Sequence, residues 1–192
     1  MAADITTRRG ASALPARELH SRFLDALSPA LRLVVSTDLD RKPLQVDVTA
    51  PLPSPLRAYL FTLTYNVAER KQGTYRSQVI LPGHTSRSPK PAHLDTSGAA
   101  FVVVGGYEPD LEIFCFWDAR LHDRYGYTYS RGLQVDDRTI YAAANQGVAE
   151  QVRRLRNGEG KSETIVAVRS DQLVAGLRRR WALSCARMLE ED

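Results

Sequence analysis

The sequence predicts an α+β fold: a curved, mostly antiparallel sheet or partly open barrel with one N-terminal and two C-terminal helices. Three observations carry this expectation. Short runs rich in β-branched and aromatic residues fill the middle of the chain, bounded by turn-forming residues. Apolar residues at helical spacing occur before and after those runs. Most links between successive runs suit strands that fold back on one another. With 192 residues, 43% of them apolar, the chain can bury one substantial core, so a single domain over residues 14–190 is expected behind a loose tail at residues 1–13.

In chain order, ALPARELHSRFLDALSP places Leu19, Phe23, Leu24 and Leu27 on one helical face, with Pro29 near the stop. The runs LRLVVS, LQVDVTA, LRAYLFTLTYN, TYRSQVILPG, AAFVVVGGYE, LEIFCFWDA and GLQVD then read as strands. VAERKQG is expected to form one hairpin loop, and Glu108, Pro109 and Asp110 another. Within LEIFCFWD, Leu111, Ile113, Cys115 and Trp117 alternate with Phe114 and Phe116, so both faces are apolar and the strand should be central. The Gly105-Gly106 pair just before it should end or bend its strand. TIYAAANQGVAEQVRRLRNG aligns Ile140, Ala144, Val148, Val152 and Leu155 as one helix stopped at Asn157-Gly158, and TIVAVR follows as a short strand. From a cap at Asp171, Leu173, Leu177, Trp181, Cys185 and Met188 mark a last helix with Arg178, Arg179, Arg180 and Arg187 largely outside. The polar stretch Pro82 to Gly98 is the one long irregular connection.

Composition narrows the function less than the fold. The net charge of +4 and pI near 9.2 suit a polyanionic partner, and residues 56–91 concentrate Arg57, Arg70, Lys71, Arg76, Arg87 and Lys90 against the single acid Glu69. The first residues lack the apolar core of a secretory signal and no apolar run approaches a membrane span, which predicts a cytoplasmic protein with no membrane partner. Cys115 and Cys185 lie far from any CxxC or Cys/His cluster, so both should be buried reduced thiols.

Candidate chemistry falls into two groups. Endonucleases of the PD-(D/E)xK type need an acid on one strand and an acid plus lysine on the next, so that carboxylates hold Mg²⁺ and the lysine orients water. Asp47 with Glu69 and Lys71 has the spacing, as does Asp136 or Asp137 with Glu159 and Lys161, but each acid-lysine pair falls in an expected loop rather than on a rigid strand. Outside this nuclease alternative no cofactor or metal is expected. The histidines His20, His84, His93 and His122 show neither HxH nor HExxH spacing, and no GxSxG elbow or GxxxxGK[ST] loop occurs.

The second group lies between Phe114 and Val135, where six aromatic rings, three arginines, a histidine and two aspartates crowd together. Trp117, Asp118, Tyr125, Tyr127, Tyr129 and Arg131 could stack on and edge-bind a base extruded from a duplex. The opposing reading makes Trp117 core and pairs Asp118 with Arg120 or Arg124. Arg70, Lys71, Arg76, Arg87 and Lys90, with His84 nearby, are the candidate contacts to a DNA backbone, unless they are simply a solvated face.

The segments LRAYLFTLTYN, TYRSQVILPGH, FVVVGGYEPDLEIFCFWDA and YSRGLQV together resemble domains of bacterial restriction and methylase-associated proteins, over roughly residues 56 to 170. The resemblance implies a DNA-recognition module of a prokaryotic defence system, of a kind that can read a modified base, with cleavage supplied by a nuclease domain or subunit. In that family pattern an acid stands where this chain has Thr74 and a lysine where it has Arg76, which weighs against a nuclease role for this strand. Double-stranded DNA is therefore the expected partner. A metal-dependent endonuclease and a non-catalytic protein-interaction subunit are the alternatives.

Overall fold

A computed structural model describes residues 13–65, 73–86, 88, 90–124, 126–128, 131–155 and 162–191, with Arg131 and Glu191 described by backbone alone. The order of elements is α1 (Ala16–Leu27), β1 (Leu31–Val34), β2 (Leu44–Val48), β3 (Leu56–Tyr65), β4 (Thr74–Val79), β5 (Phe101–Glu108), β6 (Ile113–Trp117), α2 (Ala119–Arg124), β7 (Arg131–Asp136), α3 (Asp137–Gln146), β8 (Val148–Arg154), β9 (Ser162–Arg169) and α4 (Leu173–Glu191). The main sheet runs β1-β2-β3-β5-β6-β9-β8, and β4 leaves the outer half of β3 to form a flap with β7. The fold is α+β, as predicted, with an open, curved sheet.

The curvature has an identifiable source. Leu56 to Thr62 of β3 pair with β5, whereas Leu63 to Tyr65 pair with β4, so this one strand of ten residues serves two sheet directions. Among the described pairings only β3 with β5 is parallel. The polar stretch from Pro82 to Gly98 makes the return that a parallel pairing requires, and it is pinned on the way by the bridge between Ala92 and Tyr127 and by the buried Leu94.

Both faces of the sheet are covered, which is why β6 carries apolar residues on both sides. On one face α1 and α4 bury Leu19, Phe23, Leu27 and Leu177 against Leu56, Phe114 and Phe116. Phe23 meets Phe114 edge-on with ring centroids 5.7 Å apart, a favoured aromatic geometry that ties α1 to the central strand. On the other face the β4-β7 flap and α3 bury Tyr75, Leu133, Val135 and Ile140 against Tyr59, Val104, Cys115 and Trp117. All five residues of β6 are buried, as the two-sided pattern predicted.

Four local expectations need correction. The helix expected through Leu155 stops at Gln146, because Gly147 takes φ 89 and Val148–Arg154 becomes the edge strand β8. Val148 and Val152 lie four apart, a spacing that satisfies one face of a helix and one face of a strand equally well. Gly105 and Gly106 do not end β5, which runs on to Glu108; an added Cβ would come 2.8 Å from Phe116 Cε1 at the first and 2.7 Å from Leu63 Cγ at the second. Their bare backbone lets the large rings of β6 close on the sheet. Arg180 is 2% exposed rather than outside, and Cys185 is half-buried, although both thiols are free and Cys115 is fully enclosed.

Candidate anion-binding site

Trp117 closes β6 and brings the chain to α2, so the residues that follow it are set by how that ring packs. The ring is 1% exposed, lies over Gly106, and donates Nε1-H to the Gln134 carbonyl at 3.3 Å. It is core, so the ring is not open to stack on an extruded base. Asp118 is equally enclosed and pairs with Arg180 and Arg187 of α4, not with Arg120 or Arg124. Tyr127 is 1% exposed, with its ring 6.4 Å from that of His122. Tyr125, Tyr129 and the side chain of Arg131 lie outside the described residues, as do Glu69, Arg70, Lys71, Arg87, Glu159 and Lys161.

What the sequence did not suggest is a buried ionic network joining β6, α2, β9 and α4. Glu163, fully buried on β9, accepts from the Asp118 amide at 3.0 Å, His122 Nε2 at 2.8 Å and Arg153 Nε at 2.9 Å. Burial raises the Glu163 carboxyl, but the His122 hydrogen bond, the positive charge of Arg153 and the Asp118 amide outweigh it and hold the group at about 2. Asp118 Oδ1 accepts the Leu121 amide at 3.1 Å, which fixes the first turn of α2, while Oδ2 accepts from Arg187 Nε at 2.7 Å and Arg180 Nη2 at 3.4 Å. Arg180 also donates to the Thr164 carbonyl at 2.6 Å, and Arg187 to the Ser162 carbonyl at 2.8 Å. Burial lowers the Arg180 guanidinium from its ordinary value, while Asp118 and Glu163 act to raise it. Three arginines thus face two carboxylates, and the network carries a surplus positive charge.

That surplus opens onto a hollow. Arg120, Leu121 and Arg124 of α2 and Ser184, Arg187 and Met188 of α4 enclose about 240 Å³. Arg120 is exposed and makes no ion pair among the described residues. Arg187 is the shared member, since Nε and Nη2 belong to the buried network while its side chain keeps 20% exposure. Beyond α2, Pro91 packs on Gly126, and the neighbouring Lys90 is exposed. Arg76 lies elsewhere, on β4, with its guanidinium over Gly132 of β7. His84 sits beyond the end of β4, near neither feature in sequence.

Among the described residues no group of three or more His, Cys, Asp or Glu side chains could hold a metal ion. Asp47, on β2, faces Ser54 at 3.4 Å, and its expected partners Glu69 and Lys71 lie outside the described residues. No described helix is long and apolar enough to cross a membrane.

An α+β module with a mixed, curved sheet and an arginine-lined hollow beside its central strand is the class that these features define. Within that class, the chain belongs to the methylase-associated X1 family (MTaX1), whose model matches residues 54–177, from the start of β3 into the first turns of α4. A methylase-associated domain fits a place in restriction-modification systems. Comparison with curated proteins and with solved structures yields no significant match.

Proposed function

We propose that this chain is a DNA-contacting accessory module of a restriction-modification system, holding the phosphate backbone of a duplex while cleavage or methylation is supplied by another domain or subunit. The observation that carries this reading is the gathering of Arg120, Arg124 and Arg187 around one hollow. Arginine forks suit phosphate oxygens, and a guanidinium already fixed by Asp118 loses little freedom when it binds one. Reading of an extruded base at Trp117 and Asp118 is not part of the proposal, because both side chains are closed inside the protein.

The test is a fluorescence-anisotropy titration of a labelled duplex in EDTA over a range of salt. With about three phosphate contacts, the logarithm of affinity should fall against that of salt with a slope of about −2.7, a roughly 40-fold loss from about 50 to about 200 mM. Arg120→Glu and Lys90→Glu, both at exposed positions, should each weaken binding to every sequence alike and flatten that slope by about 1. Binding that is absent, or present with a slope unmoved by either reversal, refutes the proposal.

A further inference from the structure

We infer that the hollow between α2 and α4 is a receptor for a single phosphomonoester, such as the 5′-phosphate of a DNA end or of a mononucleotide, and not merely one stop along a duplex backbone. The inference deepens the DNA-contacting reading and rests on it for the identity of the site.

Three observations favour a phosphomonoester. First is size, because about 240 Å³ accommodates one phosphoryl group with part of its sugar but cannot admit a duplex. Second is charge. Inside the protein Asp118 and Glu163 offset two of the guanidiniums of Arg153, Arg180 and Arg187, and the wall adds Arg120, which makes no ion pair among the described residues. A dianion gains about twice the Coulomb energy of a diester monoanion from the same cations at the same distances. Among the described residues, the Asp123 carboxylate is turned to the Leu94 amide at 2.6 Å, and Glu190 is exposed and makes no ion pair. Third is the lining. Leu121 is 2% exposed, and with Met188 it supplies an apolar surface between the arginines, suited to a sugar or base that enters behind its phosphate. Arg187 Nη1 makes no hydrogen bond among the described residues, so a donor held in place by the Asp118 and Ser162 bonds remains for the ligand. Ser184 contributes an acceptor oxygen only, because its hydroxyl donates to the Arg180 carbonyl at 3.0 Å.

The experiment compares two sources of that group on the full chain. Calorimetry with a nucleoside 5′-monophosphate, its nucleoside and inorganic phosphate tests the free ligand. Competition between a 5′-phosphorylated and a 5′-hydroxyl blunt duplex tests the DNA end. The expected result is binding of monophosphate but not of nucleoside, or at least about a tenfold preference for the phosphorylated end. In either arm Arg120→Ala should remove the effect and Arg178→Ala, an exposed change on the same helix away from the hollow, should not. A preference confined to the duplex assigns the site to DNA ends, whereas monophosphate binding without end preference assigns it to free nucleotides. If neither arm responds while both duplexes bind alike in a salt-dependent manner, this inference is overturned and the backbone-contact proposal stands. If no duplex binds but monophosphate does, the backbone proposal falls and the receptor remains.

Discussion

Glu163 offers the most quantitative test of the buried network. In Glu163→Gln the side-chain shape persists, but a neutral amide replaces a carboxylate that accepts from Arg153, His122 and the Asp118 amide. The amide NH₂ must then face a donor, and the Arg153 charge loses its partner. Holding the carboxyl at about 2 rather than 4.5 contributes on the order of 3 kcal/mol to the folded state at neutral pH. Truncating one member of a buried pair typically costs about 3–5 kcal/mol, so the two routes agree. This stabilisation is complete above 4.5, the unfolded value, and disappears as pH falls toward about 2, because the unfolded chain takes up the proton first. Urea unfolding followed by circular dichroism should show a midpoint lower by about 1.5 M in the variant at pH 7, for a slope near 2 kcal/mol per molar. Between pH 4.5 and 2 the wild type should lose more stability than the variant, narrowing the gap between them. A midpoint change under about 0.3 M, or parallel pH profiles, would refute the reasoning.

Trp117→Ala should destabilise the fold by about 3–5 kcal/mol and lower affinity for all DNA sequences together, because it empties a core site. Urea unfolding of the variant checks this, and a loss under about 1 kcal/mol would mean the ring is not core. Burial pushes the Cys115 thiol well above its ordinary value, whereas Cys185 is half-buried on α4. A thiol reagent should therefore modify one cysteine readily in the folded protein and the second only in denaturant, with peptide mapping identifying Cys185 as the first.

The sequence made the layered architecture legible wherever a pattern had one interpretation. The two-sided apolar run at Ile113 to Trp117 could only be a strand covered on both faces, and the face formed by Leu19, Phe23 and Leu27 could only seat a helix on such a sheet. Legibility failed where one spacing served two structures, as with Val148 and Val152, and where a partner was distant in sequence. Arg180 and Arg187 meet Asp118 across more than sixty residues, and nothing local to Asp118 announces them. The hollow was missed for the same reason, since its two walls come from α2 and α4 and each arginine taken alone resembles a solvated charge. Of the aromatic stretch, Phe114, Phe116, Trp117 and Tyr127 are core, while Arg120 beside them is exposed.

The parallel seam between β3 and β5 also constrains how the chain can be shortened or synthesised. Leu56 waits for Phe101, and Ile113 for Arg169, so neither central ladder completes until much of the polypeptide has been made. A nascent or truncated chain ending before β9 would leave Phe114 and Phe116 on an unpaired strand edge. Such an edge invites aggregation, so fragments that stop short of Arg169 should collect in inclusion bodies rather than persist as soluble subdomains.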